Sequence, residues 1–181
     1  MALRLEFGTM VIRTFSPDDE DALCKYADNR AVSGTLRDRF PFPYTREAAR
    51  QWIRQTLQDE PVTHFAIAEK ELIGSIGYIP QEDVFRKTVE IGYWVAEPFW
   101  GRGIATRALG LLTEHLLTDG GYVRVQAGVF ESNPASMRVL EKAGFGFEGR
   151  LRHAVYKNNQ LQDLLMYAVT RPENLTGGSP V

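Results

Sequence analysis

The chain has one cysteine, Cys24, in 181 residues, which excludes an intramolecular disulfide framework and any cysteine-rich zinc or iron–sulfur site. So few thiols suit a reducing compartment, and a cytoplasmic protein is expected. Long apolar runs are also lacking: no stretch approaches the length needed to span a bilayer. The N-terminal MALRLEFGTMVIRTF alternates apolar and charged residues and has no continuous apolar core or small-residue cleavage site of a secretory signal. Nor is there an excess of one charge. Lys plus Arg number 21 against 23 Asp plus Glu, a formal net charge of -2, so no broad basic field exists to attract nucleic acid or an anionic membrane. His64, His115 and His153 share no ligand spacing with one another or with Cys24, so no metal site is expected. Repeats, low-complexity tracts and linkers are missing from residues 1–170, whereas 171–181 (RPENLTGGSPV) has linker-like composition and is expected to be a disordered tail.

What is present is an ordinary globular composition, 44% apolar and 24% charged, enough for one compact domain over residues 1–170. Residues 10–15 read as a strand. Ser16-Pro17-Asp18-Asp19 reads as a helix start, with a capping hydroxyl, proline in the first turn and acids at the positive dipole end, and that helix should reach about Ala27. After a proline- and aromatic-rich stretch from Arg39 to Tyr44, Thr45 caps a second helix marked by Ala49, Trp52, Ile53 and Leu57. Residues 64–68 and 72–79, joined by Glu69-Lys70-Glu71, read as a hairpin, and 89–95 (VEIGYWV) as another strand. Ala105, Ala108, Leu109, Leu112 and Leu116 mark one face of a long helix ended by Asp119-Gly120-Gly121. Residues 122–130 are strand-like, and Asn133-Pro134 opens a last helix that Gly144 closes. Two final strand-like runs, 150–156 and 161–169, flank Asn158-Asn159, a turn tolerant of positive φ. Strands alternating with helices and a closing hairpin make a mixed α/β sheet.

Chemistry concentrates in the strand–turn–helix at 89–117, because glycines between a strand and a helix N-terminus let backbone N–H groups converge on an anion. A dinucleotide fingerprint would need a third glycine or close substitute at Thr106, and a P-loop would need Gly-Lys-Ser/Thr at the helix start; neither is present. Ile73-Gly74-Ser75-Ile76-Gly77 misses the serine-hydrolase elbow, which requires glycine at position 73. Cys24, spaced with Leu23 and Ala27, reads as a small buried apolar group.

Trp100-Gly101-Arg102-Gly103-Ile104-Ala105 is similar to the Gln/Arg-x-x-Gly-x-Gly/Ala loop of the GNAT N-acetyltransferases, with Trp100 where Gln or Arg is usual. It resembles the Trp-Gly-x-Gly form of the branch that contains the Rim-type ribosomal-protein N-terminal acetyltransferases. The resemblance runs over residues 9–170: Asp18 after the opening strand, Pro43-Tyr44-Thr45 with Trp52 beyond, Glu90-Ile91-Gly92-Tyr93-Trp94, the glycine loop, Asn133-Pro134-Ala135-Ser136, and Glu141-Lys142-Ala143-Gly144-Phe145. Arg107 departs from an acidic residue common there, and Asn159 from a glycine.

The resemblance implies a GNAT fold: a single domain whose mixed, strongly twisted sheet splays into an acetyl-CoA cleft between strands 89–95 and 122–130, flanked by helices. Trp94, Val95 and Ala96 would offer backbone groups to the pantetheine amides, Asn133 would bond the same arm, and the N–H groups of Gly101, Arg102, Gly103, Ile104, Ala105 and Thr106 would take the pyrophosphate. A helix N-terminus with Arg102 and Arg107 beside it suits that anion. Phe40, Phe42, Tyr44, Trp52 and the last hairpin would line the acceptor end.

Direct acetyl transfer needs an amine freed of its proton, donors for the developing oxyanion and a proton for the departing sulfur. Glu90 is the expected base, through water, Ser136 the acid, and a backbone N–H near Val95 the oxyanion donor. Each has a structural counterpart: Glu90 could simply pair with an arginine, Ser136 bond its own helix, and Asp163 hold backbone. The expected activity is acetyl-CoA-dependent transfer to a primary amine, either a protein N-terminal α-amine or a small-molecule amine, with no metal, nucleic acid or membrane partner. The alternative is a non-catalytic acyl-CoA-binding sensor or scaffold. No motif sets the oligomeric state, and a homodimer is compatible with the sequence.

Overall fold

The computed structural model describes residues 3–171. Local capping sets most element ends. Ser16 Oγ accepts the Asp18 N–H while the Asp19 carboxylate accepts the Ser16 N–H, a reciprocal box that opens a 3-10 turn at Pro17–Asp19 and leads into α1 (Glu20–Ala27). Thr45 caps α3 (Arg46–Gln58) by accepting from Ala48 N–H, and Asn133 caps α5 (Pro134–Lys142) by accepting from Ser136 N–H. Between them, α2 (Arg30–Ser33) is a single turn, and α4 (Ile104–Thr118) is the longest helix.

The strands are β1 (Arg4–Phe7), β2 (Met10–Arg13), β3 (His64–Ala68), β4 (Leu72–Pro80), β5 (Thr88–Val95), β6 (Arg124–Phe130), β7 (Gly146–Lys157) and β8 (Gln160–Thr170). They form one mixed sheet in the order β1-β2-β3-β4-β5-β6-β8-β7, antiparallel except for β5 against β6. This is the α/β sheet expected from the sequence. Two elements go beyond that expectation. β1 pairs with β2 around Gly8, whose φ is +63°, and α2 adds a turn capped by Asn29. The closing strands also run longer than 150–156 and 161–169. Their turn is as expected, with Asn158 and Asn159 at φ 52° and 60°, and Gly144 follows α5 at φ +88°.

Side chains alternate across the sheet, so its two faces build two cores. Val89, Ile91 and Val95 of β5 pack in one cluster with Leu109, Leu112 and Leu116 of α4 and Leu140 of α5. On the other face, Phe15 and Leu72 pack with Leu23 of α1 and Ala49 and Ile53 of α3, and Trp94 of β5 joins them. Among the described residues no helix is long and apolar enough to cross a membrane. Of the tail expected at 171–181, only Arg171 falls within the described residues.

Candidate functional site

β5 and β6 pair over only three rungs, Thr88 with Arg124, Val89 with Val125 and Glu90 with Gln126. Past Glu90 and Gln126 both strands continue, to Val95 and Phe130, without pairing. A parallel pair that stops bonding while its strands run on leaves a wedge in the sheet, with backbone groups of both edges free for a ligand. The structure therefore holds a cleft where the sequence placed one.

At the open end of the wedge, β5 leads into a short turn at Glu97–Phe99 and then the glycine loop. Gly101 and Gly103 have φ of +74° and +72°, a region that costs an L side chain about 1–2 kcal/mol. A Cβ at either would meet no atom within 4 Å, so the loop is bare toward solvent. Gly103 caps α4 without a side chain, and the first bond of that helix runs from the Arg107 N–H to the Gly103 carbonyl at 3.1 Å. The N–H groups of Ile104, Ala105 and Thr106 thus point out of the helix with no partner among the described residues. Arg102 lies over the Phe99 ring and Arg107 over Phe7, each at 5.4 Å from the centroid. Neither guanidinium forms an ion pair among the described residues. Unpaired N–H groups, glycines that keep side chains away and two arginines without an ion pair among the described residues suit an anion at this end of the wedge.

Trp100 is half-exposed, and its indole Nε1–H donates to the Val95 carbonyl at 2.6 Å, tying the loop back onto β5. The Ala96 N–H donates to Ile73 O at 2.8 Å and its carbonyl accepts from the Phe99 N–H at 2.9 Å, so both groups are engaged within the protein. Trp94 stands edge-on to Phe40 at 5.7 Å, on the face of the sheet that carries α1 and α3.

The two expected chemical groups lie on opposite faces. Glu90 shares a face with Gly92 and Trp94 by the period of two and forms an ion pair with Arg37 from the loop after α2; its side chain is 25% exposed. Ser136, in the first turn of α5, shares a 2.8 Å hydrogen bond with the Tyr93 hydroxyl. Asn133 holds the Ser136 N–H through Oδ1 at 3.1 Å, leaving its Nδ2 donors uncommitted among the described residues. Burial pushes the Tyr93 phenol up to about 12, only partly offset by the bond to Ser136, so it stays protonated. Neither Tyr93 nor Arg37 stood out in the sequence. Tyr93 could have been noticed as the residue of β5 that faces α5, whereas Arg37 lies 53 residues from its partner with no local signal.

On the Glu90 side of the wedge stand the segment before α3 and the last hairpin, which the resemblance assigns to the acceptor. Asp38 accepts from Lys157 Nζ at 2.7 Å, and Phe40 and Tyr44 rings lie 5.0 Å apart. Asp163 is a holding group: it accepts from His153 N–H at 2.8 Å and Arg150 Nη1 at 3.1 Å, and the His153 bond chiefly draws its carboxyl below the usual range. An open hollow of about 480 Å³ lies elsewhere, beside Arg13, Asp18, Lys70 and Glu71. Arg13 there is paired with Asp19, and Glu71 with Lys25 and Tyr26, and among the described residues no open sheet edge faces it, so the wedge is the better candidate.

Residues 9–146 match the acetyltransferase (GNAT) domain. A probable N-acetyltransferase, YjcK of Bacillus subtilis, is 33% identical over 137 residues, 72% of this chain and 76% of that protein. A ribosomal-protein-serine acetyltransferase of Escherichia coli is 34% identical over 123 residues, 64% of this chain and 68% of that protein. Among solved structures, RimL, a ribosomal α-N-protein acetyltransferase in complex with coenzyme A, superposes with a TM-score of 0.82 at 25% identity, covering 93% of this chain and 98% of that one.

Proposed function

The chain belongs to the GNAT acetyltransferase family, in its Rim-type branch, and on that premise we propose that it transfers acetyl from acetyl-CoA to a protein N-terminal α-amine in the cytoplasm. The observation that carries the reading is the wedge itself: two parallel strands that part after Glu90 and Gln126, beside a helix whose first N–H groups have no partner among the described residues. Residues 1–170 would act as one catalytic domain.

Acetyl-CoA supplies an activated acetyl thioester. The N–H groups from Gly101 to Thr106 hold its pyrophosphate, with Arg102 and Arg107 adding charge. The backbone left open at the edge of β5 around Val95 and the Asn133 amide align the pantetheine arm, and an N–H near Val95 offers a hydrogen bond to the reacting carbonyl oxygen. On the opposite face Glu90 receives the proton of the incoming ammonium, directly or through water, while Arg37 keeps the carboxylate in place between turnovers. Ser136 Oγ, held by a neutral Tyr93, is positioned to give a proton on the sulfur side.

The test combines titration calorimetry with acetyl-CoA and thiol release across N-terminal peptides and small amines. Glu90→Gln is expected to bind acetyl-CoA within about twofold of wild type and to lose roughly 10²-fold or more in turnover, the usual contribution of a general base. An unchanged rate would remove Glu90 from the scheme. Binding without thiol release from any amine would instead mark an acyl-CoA sensor.

A further inference from the structure

Gly92 occupies a central strand, yet it is exposed and its neighbours Ile91 and Glu90 are not. A Cβ built there would meet nothing within 4 Å, and its φ lies outside the left-handed region, so neither crowding nor backbone conformation calls for glycine. Glycine also weakens a strand interior. The contrast with Gly77, its cross-strand partner on β4, is instructive. A Cβ at Gly77 would lie 2.6 Å from His64 Cδ2 and 2.8 Å from Thr63 O, so packing accounts for that glycine: the His64 ring, itself edge-on to Trp52 at 5.0 Å, rests on it. Packing does not account for Gly92.

Directly opposed residues share a face, so His64, Gly77 and Gly92 form a row across β3, β4 and β5 on the Glu90 side of the sheet. The gap over Gly92 is bounded by Glu90 with Arg37 at one end, Trp94 with Phe40 at the other, and the imidazole of His64 over Gly77 on the β4 side. On the remaining side β6 has turned away. Glu90 and Trp94 are four residues apart along the strand, about 13 Å, and Gly92 is the one position between them on this face, so the opening is one missing side chain wide.

We propose that Gly92 is the specificity-determining floor of the acceptor pocket, the missing side chain making the opening through which a primary amine on a carbon with a compact substituent reaches Glu90. The inference rests on the acetyltransferase reading. It requires a residue whose enlargement blocks the acceptor while sparing the cofactor, because the loop and α4 that hold acetyl-CoA lie beyond Val95.

The experiment compares wild type, Gly92→Ala and Gly92→Val by acetyl-CoA calorimetry, thermal unfolding, and thiol release with glycinamide, alaninamide and leucinamide and with peptides beginning with the same three residues. Each variant replaces a glycine that weakens the strand interior at a position with free space, so both are expected to unfold at or above the wild-type temperature. Both should bind acetyl-CoA within about twofold of wild type. Gly92→Ala should lose roughly tenfold in kcat/KM, more for leucine-type than for glycine-type amines, and Gly92→Val roughly 10²-fold, the scale of an ångström-size misplacement of a reactant. Unchanged kcat/KM in Gly92→Val overturns the inference. So does a parallel fall in acetyl-CoA affinity, which would give the space to the cofactor and leave the family reading intact. Wild type that binds acetyl-CoA and releases thiol with no amine also overturns it, and wild type that fails to bind acetyl-CoA removes the functional reading with it.

Discussion

His64 shows how a single side chain beside the cleft gains properties its local sequence does not announce. Its ring packs on Gly77 and Trp52, and burial chiefly, with Arg39 adding repulsion, lowers its pKa from the ordinary 6.5. Folding therefore works against protonation of this imidazole. The unfolded chain takes up a proton near pH 6.5 and the folded one does not, so stability is full above that pH and falls as pH drops toward the folded value. The carboxyls whose pKa values are lowered, Glu20, Glu71, Glu148 and Asp163, lose their contribution only in a more acidic range, below about pH 4.5. Between pH 7 and 5.5 the unfolding temperature of the wild type should fall, and His64→Phe, which keeps an aromatic ring against Trp52, should flatten that dependence. Thermal melts of both proteins across the range measure it, and equal slopes would show that the His64 proton does not couple to folding.

Within the elements, α5 carries the clearest separation of structural from functional roles. Asn133 Oδ1 caps the helix through the Ser136 N–H, while the amide nitrogen is the group proposed to meet pantetheine. Asn133→Ala should cost about 1 kcal/mol as a lost cap, whereas Asn133→Asp keeps a good cap and should unfold close to wild type. If the amide nitrogen serves the cofactor, both substitutions raise the KM for acetyl-CoA; if Asn133 is only a cap, Asn133→Asp leaves that KM unchanged. The same helix illustrates what a sequence reveals. Caps and turns are local chemistry, so Ser16, Thr45, Asn133, Gly144 and Asn158-Asn159 marked element ends that the structure retains. β1 and α2, of four residues each, were missed because so short a segment shows neither a strand nor a helix period and exists through pairing with β2 or the Asn29 cap. At the candidate site, Glu90 and Ser136 are singled out by the motifs they sit in, and the structure gives only their contacts, Arg37 and Tyr93. Arg37, Tyr93 and the Gly77–Gly92 row were not legible in the sequence, because each depends on sheet register or on a loop brought over the strand.

Across the whole molecule, the end proposed to take the acceptor depends on two consecutive residues gripping separate strands: Arg37 pairs with Glu90 on β5, and Asp38 with Lys157 at the end of β7, 119 residues away. The segment between α2 and α3 is thereby tied to both the sheet centre and the last hairpin. The Lys157 side chain is only 9% exposed and that of Asp38 is 80% exposed, so the two partners contribute unequally. Most of the attraction is screened by water at the carboxylate, worth about 1 kcal/mol or less, but the ammonium is the group that suffers if its partner is lost. Lys157→Met keeps the apolar stem and removes the buried charge, so its unfolding temperature should stay near wild type. Asp38→Asn leaves the ammonium buried with a weaker partner and should be the less stable of the two, by roughly 1 kcal/mol. Both loosen the same tether. Amide exchange in residues 34–44 should therefore quicken in both, and the KM for the amine should rise several-fold while that for acetyl-CoA holds, since the glycine loop and α4 lie at the other end of β5. Added salt separates tether from stability: screening should raise the amine KM most in wild type and less in the two variants, which keep only the Arg37–Glu90 pair. Exchange and amine KM that stay at wild-type values in both variants would show that the segment holds its place over the cleft through Phe40, Tyr44 and Trp94 alone.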